Sequence, residues 1–366
     1  MKIVQLLPEL NEGGVERGTM ELSRELVKLG HESIVISSGG KLVEQIEADG
    51  GKHISLDVCS KNPFTAYFRM RKLRKLLKSL KPDILHARSR VPAWLTYMAN
   101  KKLQLPFVTT VHGLNSINAY SKIMTKGDKV ITVSEVVRDY IIKGYNVDRE
   151  KIQVIQRGVD TQKFSQSSLD HDFIAKFKDR YDLKNTFIVS SVGRITWLKD
   201  YETFIKSIAL SKKSISNIVG VIVGGVREDK RDYFESLKML AIEEGVEKEI
   251  IFTGSQIKIA EIYAMSDILV NASLKMGNVA RTVTESLAMN TPVIATTFEG
   301  LNDLIVDRVN GAIIENKNPK QLAEKIVYLS KNMPTNVTKT LPQEFTLEAL
   351  VRNTLDVYHT LLEEKK

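Results

Sequence analysis

The chain has 366 residues, 43% of them hydrophobic, which is enough for about two α/β domains with substantial cores. Its single cysteine excludes a disulfide framework and a cysteine-rich zinc site, and no apolar run approaches the roughly 20 residues that span a bilayer. The first residues form a strand without a signal-peptide pattern, so we expect a cytoplasmic protein, free or peripheral on the inner membrane face. The net charge of +9 favours nucleic acid, an anionic membrane or a phosphorylated ligand as a partner.

Apolar strands and helices alternate along the chain, which predicts an α/β fold with parallel sheets. The first half shows strands at 2–7, 33–38, 83–86, 106–111 and 129–133, with a helix at 15–29. Weak patterning over 145–185 indicates a linker, after which strands follow at 186–192, 218–223, 249–252, 267–273 and 292–295. The sequence therefore predicts two doubly wound Rossmann-like domains, 1–165 and 166–345, that face a central cleft. The segment 346–366 is predicted to be a helix that packs back on the first domain.

Residues 67–81 carry a dense group of lysines and arginines. Apolar residues recur within this stretch at helical spacing, namely Met70, Leu73, Leu76, Leu77 and Leu80. The pattern predicts an amphipathic helix that packs its apolar face on the sheet. Its cationic face can also meet an anionic membrane surface, and the two interpretations are compatible.

A glycine-containing loop follows the first strand of each predicted domain. Gly13 and Gly14 open the first helix, where the backbone can approach an anionic group, or they simply form a tight turn. Gly193 precedes Arg194 and Lys199, and two cations in such a loop can clamp a diphosphate. The chain lacks the glycine fingerprints of dinucleotide-binding and P-loop proteins, which counts against a nicotinamide dehydrogenase.

Glu285 lies near the start of a short predicted helix, 282–289, between two apolar strands. A carboxylate there can hold the hydroxyls of a ligand, or it can merely offset the helix dipole. His86 and His112 each end a strand, so we expect both imidazoles to open toward the cleft. Asp170-His-Asp172 matches a short acidic motif of metal-dependent sugar transferases, but it lies in the predicted linker and we predict no metal site.

Taken together, these segments resemble a family 4 retaining glycosyltransferase of the GT-B fold over nearly the whole chain. The matching segments, in order, are 13–16, 112–113, 133–135, 154–160, 192–194 with Lys199, 252–254, 266–267, 285–289 with 291–295, and 310–311. Within the family, residues 86–94 and 281–285 are similar to transferases of bacterial lipopolysaccharide core assembly.

The resemblance implies transfer of a hexose from a nucleotide-diphosphate sugar to a lipid-linked glycan acceptor, with retention of configuration and without metal or cofactor. It implies that His112 contacts the donor sugar and that Arg194 and Lys199 neutralise the diphosphate. The implied donor-binding residues are Gly13, Gly14, Gly193, Gly254, Asn278, Arg281, Thr282 and Glu285. Among these, Gly14 would approach the phosphates, the segment after Gly254 would border the base and Glu285 would accept the ribose hydroxyls.

The sequence departs from the family pattern at Gly277, where the family usually has a glutamate that touches the transferred sugar. That contact is then expected from backbone amides of the 277–281 loop or from Asn278. Ala280 replaces a common glycine, and Asp303 stands where the family often has glutamate.

Two other functional classes remain open at this point. A nucleotide-sugar epimerase or a glycan phosphorylase can use a similar double Rossmann fold. A non-enzymatic nucleic-acid-binding protein would explain the positive charge, but no recognised binding module supports it, so we expect no nucleic-acid partner.

Overall fold

The computed structural model describes residues 1–11, 13–274, 281–298 and 304–365. The chain divides into two compact units. The first unit comprises Met1–Gly158 together with the C-terminal segment from Leu347, and the second unit comprises Val159–Thr346. Within the described residues, no helix has both the length and the apolar character needed to cross a membrane.

The first unit contains one parallel sheet, which has seven strands in the part that the structure describes. The strands are β1 Lys2–Leu6, β2 Glu32–Ser37, β3 Lys52–Ser55, β4 Ile84–Ala87, β5 Phe107–Val111, β6 Lys129–Thr132 and β7 Ile152–Val154. Their spatial order is β3-β2-β1-β4-β5-β6-β7. The helices that connect them are α1 Gly14–Lys28, α2 Val43–Ala48, α3 Pro63–Leu80, α4 Arg90–Asn100 and α5 Glu135–Tyr145. This unit is therefore doubly wound, as the alternation of strands and helices predicted.

The second unit repeats the architecture with six strands among its described residues. The strands are β8 Phe187–Val192, β9 Ile218–Val223, β10 Ile250–Gly254, β11 Ile268–Asn271, β12 Val293–Thr296 and β13 Gly311–Ile314, in the order β10-β9-β8-β11-β12-β13. The helices are α6 His171–Arg180, α7 Tyr201–Ser211, α8 Arg231–Glu243, α9 Ile259–Met265, α10 Arg281–Ala288 and α11 Pro319–Lys331. Every residue of β9 is buried, as expected for a central parallel strand covered on both faces.

The last helix, α12 Leu347–Glu364, packs in the core of the first unit. Tyr358 and Leu361 join Ile3 and Ile84 of the sheet in one cluster of buried side chains. The unit boundary lies after Gly158, seven residues before the expected position at 165, because Val159 and Phe164 pack in a core of the second unit.

The segment 145–185 is more structured than the predicted linker. It contains β7, which pairs with β6 along the sheet edge, and α6, which packs Phe177 against the second sheet. The helix α6 begins at His171 because the side chain of Asp170 accepts a hydrogen bond from the amide of Phe173. The polar sequence of β7 and α6 gives no clear apolar pattern, since both elements are short and lie partly at the surface.

Candidate functional site

Each sheet has a switch point where successive connections leave in opposite directions. In the first unit the neighbouring strands β1 and β4 diverge, and in the second unit β8 and β11 diverge. Loops at the carboxyl ends of such strands form the usual ligand-binding crevice of a doubly wound sheet. Gly14 follows β1, the segment Gly193 to Lys199 follows β8, and α10 follows β11. The predicted residues in these three segments thus lie at a switch point, whereas His112 follows β5 and Gly254 ends the edge strand β10.

In the first unit, Gly14 lies directly against the guanidinium of Arg157. A Cβ at position 14 would stand 2.8 Å from Nη1 of Arg157, so a side chain there would displace this arginine. Nη2 of Arg157 donates a hydrogen bond of 3.3 Å to the carbonyl oxygen of His112. Gly13 is packed just as closely, against the carboxylate of Glu16. These contacts gather Gly14 and His112 around one cation.

The imidazole of His112 is held in its neutral form. Burial lowers its pKa well below the usual range, and the charges of Arg88 and Arg157 and the neighbouring His86 lower it further. A neutral imidazole has one donor and one acceptor nitrogen, which suits contact with sugar hydroxyls. Arg88 is itself buried, donates to the side-chain oxygen of Gln5 at 3.2 Å, and has its pKa lowered by burial to about 10.

The expectation that His86 opens toward a ligand is wrong. Its side chain is 1% exposed, and its two ring nitrogens form 2.6 Å hydrogen bonds with the hydroxyls of Tyr358 and Thr110. His86 therefore ties α12 to the sheet as a structural residue. It lies inside β4 rather than beyond its end, so the surrounding cores cover it.

In the second unit, Gly193 sits in a tightly closed turn. Its amide donates to the carbonyl of Val223 at 2.9 Å, and its carbonyl accepts a 2.6 Å hydrogen bond from the hydroxyl of Tyr201. A Cβ at position 193 would lie 2.7 Å from Cε of Lys199. A side chain at position 193 would therefore displace the end of the lysine side chain.

Lys199 and Arg194 place two cations in this turn. Nζ of Lys199 lies 3.3 Å from Oγ of Ser273, which follows β11, while Arg194 is exposed. Burial, followed by the charge of Arg194, lowers the pKa of Lys199. Neither cation forms an ion pair with an acidic side chain among the residues that the structure describes. The turn therefore presents concentrated positive charge at the switch point.

Glu285 is a buried carboxylate in the second turn of α10, with 5% of its surface exposed. Its Oε2 accepts a 3.0 Å hydrogen bond from the hydroxyl of Tyr263, and its Oε1 lies 3.3 Å from Nε of Arg281. These contacts fix the carboxylate in one orientation and compensate part of its charge. A carboxylate accepts hydrogen bonds at both oxygens, which is the chemistry that binds ligand hydroxyls.

Two other predicted donor-binding residues have local structural roles. The hydroxyl of Thr282 accepts a 2.9 Å hydrogen bond from the side-chain nitrogen of Asn271, which attaches the start of α10 to β11. Gly254 ends β10 with φ of +70°, a conformation that favours glycine, and a Cβ there would meet only open space. The backbone beside Gly254 is thus accessible at the carboxyl edge of the sheet.

Several predicted positions lie outside the described residues, namely Asn278, Gly277, Ala280 and Asp303. Within the described ranges, no cluster of three or more histidine, cysteine or acidic side chains could hold a metal ion. Asp170 of the short acidic motif instead caps α6 and pairs with Lys258.

Three residues with evident roles in these loops were not singled out from sequence, namely Arg88, Arg157 and Ser273. Arg157 lies within the segment 154–160 that contributed to the family resemblance, and Arg88 within 86–94, so a signal was present for both. Ser273 offered none, because its role depends on the approach of Lys199 from another loop.

Comparison with known proteins agrees with this architecture. The model described as Glycosyltransferase Family 4 matches residues 12–163, and that described as Glycosyl transferases group 1 matches residues 172–340. A crystal structure of a glycosyltransferase from Rickettsia africae is 33% identical, with a TM-score of 0.88 over 99% of this chain and 98% of that one. HepE of Anabaena, solved with UDP, is 17% identical, with a TM-score of 0.86 over 98% of this chain and 100% of its own. The alpha-monoglucosyldiacylglycerol synthase of Streptococcus pneumoniae is 25% identical over 382 residues, which cover 93% of this chain and 83% of that protein.

The two doubly wound units, with a cationic loop at the switch point of the second, define a glycosyltransferase of the GT-B fold. The chain belongs to glycosyltransferase family 4, as its sequence motifs indicated.

Proposed function

We propose that this glycosyltransferase transfers a hexose, with retention of configuration, from a nucleotide-diphosphate sugar to a lipid-linked acceptor in lipopolysaccharide core or related cell-envelope glycan synthesis. The observation that carries the proposal is the pair of cations, Lys199 and Arg194, at the switch point of the second sheet. A diphosphate is the ligand that such a pair fits best, because it accepts hydrogen bonds from both cations and neutralises both charges.

In the proposed reaction, the bond between the anomeric carbon and the diphosphate oxygen breaks, and the oxygen of the acceptor hydroxyl bonds to the same carbon. The proton of that hydroxyl passes to the departing diphosphate. Negative charge grows on the departing diphosphate as the bond breaks. Lys199 is anchored by Ser273 and partly withdrawn from water, so its ammonium stabilises this charge more strongly than a solvated lysine would. These two side chains supply the positive charge that a metal ion would otherwise provide, and we propose that transfer is independent of metal.

The remaining roles follow from the chemistry of each side chain. We assign the ribose hydroxyls of the donor to Glu285, whose orientation Tyr263 and Arg281 fix before the ligand arrives. The backbone beyond Gly254 borders the base. In the first unit, we assign the donor phosphates to the backbone at Gly14 and the sugar hydroxyls to the neutral His112. The solved complex of the HepE relative with UDP supports a uridine nucleotide as the first candidate.

The lipid-linked acceptor is supported by α3 and by one relative. Arg71, Lys72, Lys75 and Lys78 of α3 are exposed, whereas Leu73 and Leu77 are buried against the first sheet. Such a helix can hold the protein at an anionic membrane, on the inner face where nucleotide sugars are available. The similar Streptococcus pneumoniae protein is named for synthesis of a glycolipid, which supports an acceptor of this class.

A panel of nucleotide sugars tests the proposal directly. We expect one donor to raise the melting temperature of the protein and to be hydrolysed slowly, because ligand binding stabilises the native state. With a lipid-linked acceptor, nucleotide release and acceptor glycosylation should occur in equal amounts, in the presence or absence of EDTA. Glycosylation that EDTA abolishes would contradict metal independence. Nucleotide-sugar conversion without an acceptor product would instead identify an epimerase, and phosphate-dependent sugar release would identify a phosphorylase.

A further inference from the structure

A cavity of about 320 Å³ lies in the first unit between the N-terminal half of α3 and the helix α4. Its walls are mainly apolar and aromatic, and they include Pro63, Ala66, Val91, Trp94, Met98 and Tyr120. The volume is at the lower end of the roughly 300–1,000 Å³ typical of small-molecule sites. No role assigned above to the nucleotide-sugar reaction uses this cavity.

The outer face of α3 changes character along its length. Its first two turns expose aromatic side chains, with Phe64 86%, Phe68 66% and Tyr67 57% exposed. The same face then continues into the exposed cations Arg71 and Lys75, because residues four apart lie one above the other on a helix. Aromatic residues followed by cations are characteristic of a surface that enters the headgroup region of an anionic bilayer.

The cavity wall also contains an incompletely satisfied cation. Arg69 is 7% exposed, donates from Nε to the hydroxyl of Thr65 at 3.2 Å and from Nη2 to the carbonyl of Asn62 at 2.9 Å, and faces Asp57 at 3.8 Å. Its Nη1 is buried and has no hydrogen-bond partner in the described part of the chain. A buried donor without a partner is costly, so a small shift of the Arg69 side chain that brings Nη1 to an oxygen of a ligand in the cavity would be favourable.

We propose that this cavity binds one acyl chain of an anionic membrane phospholipid. The chain lies against Ala66 and Trp94, an ester or phosphate oxygen of the lipid accepts from Nη1 of Arg69, and Phe64 and Phe68 insert beside it. Exposed cations on the same helix face match the negative charge of the headgroup. The inference rests on the proposed transfer at a membrane surface and adds a lipid site to it.

Trp94 provides a direct probe of the cavity. The chain has two tryptophans, so the Trp197→Phe variant leaves Trp94 as the only one. Vesicles are made from phosphatidylglycerol and phosphatidylcholine in a fixed ratio, with bromine in the middle of the acyl chains of either one lipid or the other. We expect loss of Trp94 fluorescence on vesicle binding, and a larger loss when phosphatidylglycerol carries the bromine. Equal losses from the two lipids would overturn the assignment to an anionic lipid.

Two substitutions at one position separate cavity binding from surface binding. Ala66→Leu fills the cavity in the Trp197→Phe background, whereas Ala66→Ser keeps its volume. We expect both variants to sediment with the vesicles to the same extent, but only Ala66→Leu to escape quenching. Equal quenching of the two variants, or sedimentation without any quenching of Trp94, would overturn the proposal, as would failure to sediment at all.

Donor hydrolysis is measured on the unmodified protein, because Trp197 lies in the loop that carries Lys199, and it keeps the two proposals apart. A protein that turns over a nucleotide sugar but shows no quenching refutes the lipid site alone. A protein that is quenched as expected but binds no nucleotide sugar refutes the proposed transfer and leaves the lipid site in place.

Discussion

Nζ of Lys199 lies 3.3 Å from Oγ of Ser273, and this contact joins the loops that leave two neighbouring strands, β8 and β11. A second contact supports it, since the amide of Leu274 donates to the carbonyl of Leu198 at 2.8 Å. The lysine stem also rests against Gly193. The cation proposed to receive the diphosphate is thus fixed by its surroundings before any ligand binds.

Gly193→Ala should inactivate the enzyme by displacing Lys199. The new Cβ would stand 2.7 Å from Cε of Lys199, so the flexible lysine must move away from Ser273. We expect the transfer rate to fall about 100-fold, since a displacement of about 1 Å can have that effect, and the melting temperature to change little. In a Lys199→Ala background the same substitution should have no further effect on rate. Additive losses in the double variant would contradict the argument.

Lys199 and Arg194 should each be needed for transfer. We expect Lys199→Ala to have the larger effect, because Lys199 is half-buried and Arg194 is exposed, so water screens the arginine more strongly. The measurement is kcat/KM with the donor identified in the panel. Full activity in both alanine variants would refute the proposed diphosphate clamp.

The pH dependence of transfer should report the state of Lys199. Because its pKa is lowered by burial and then by Arg194, the ammonium form is lost as pH rises through this lowered pKa. We expect kcat/KM to fall over that range. Arg194→Ala removes one cause of the lowering, so the decline should move to higher pH. If kcat/KM of this variant declined over the same pH range as in the unmodified protein, the decline would not report the titration of Lys199.

Glu285→Ala should weaken nucleotide binding. Hydrogen bonds to a charged group contribute about 1.5–3 kcal/mol, so the dissociation constant of UDP should rise about 10- to 100-fold. Glu261→Ala is a matched control, because Glu261 is also a buried carboxylate of the second unit but accepts from the amide of Asp170, the residue that caps α6. This control should change stability and leave UDP affinity intact. An unchanged dissociation constant in Glu285→Ala would remove its ribose role.

Acidification should destabilise the first unit through its buried histidines. The pKa values of His86 and His112 are lowered in the folded protein, chiefly by burial, so the unfolded chain binds more protons as pH falls below about 6.5. Each histidine can then cost up to about 1.4 kcal/mol of unfolding free energy per pH unit until its lowered pKa is reached. Urea titrations between about pH 7 and pH 5 measure this loss.

The histidine variants check this assignment. His86→Gln should flatten the pH profile, although it also loses packing around Tyr358. His53→Gln is the control, because His53 is only partly buried. Burial lowers its pKa, and the negative charge of Glu47 opposes this lowering. If the unfolding free energy of both variants depended on pH as steeply as that of the unmodified protein, burial of His86 would not be the cause of that dependence.

Neutralising the exposed cations of α3 should weaken binding to anionic vesicles. At about 1 kcal/mol per basic residue, replacing Arg71, Lys72 and Lys75 with Gln should lower the partition coefficient by roughly two orders of magnitude. The control replaces three exposed lysines of the second unit with Gln, namely Lys176, Lys213 and Lys248. Equal losses in both triple variants would mean that net charge, rather than α3, determines binding.

Arg74 lies in the same cationic stretch, 67–81, but has another role. Its Nε and Nη2 donate to the carbonyls of Ala99 and Met98 at 3.1 Å each, which joins α3 to α4. We therefore expect Arg74→Gln to lower the melting temperature and to leave vesicle binding nearly unchanged. Strong loss of vesicle binding without loss of stability would contradict this assignment.

The sequence was sufficient wherever a signal is local and periodic. The helix predicted at 346–366 is α12, Leu347–Glu364, and the helix predicted at 15–29 differs from α1 by one residue at each end. The helix predicted at 282–289 is α10, also shifted by one residue. Apolar periodicity determines such elements because each must bury one face against a sheet. Prediction missed the strands β3, β7 and β13 and the helices α2 and α6, since their patterns are too short or too polar to stand above loop composition.

The order of motifs along the chain determined the family. Residue type and position predicted a phosphate and hydroxyl site at Lys199, Arg194 and Glu285. Only the tertiary structure decided which polar residues are available for chemistry. His86 and His112 read alike as strand-end histidines, yet His86 is enclosed by α12, which lies 272 positions away at Tyr358. Likewise, Arg74 and Lys75 are adjacent cations, but Arg74 donates to backbone carbonyls of α4 and Lys75 is exposed to solvent. Such differences arise from contacts between distant segments, which a linear pattern does not contain.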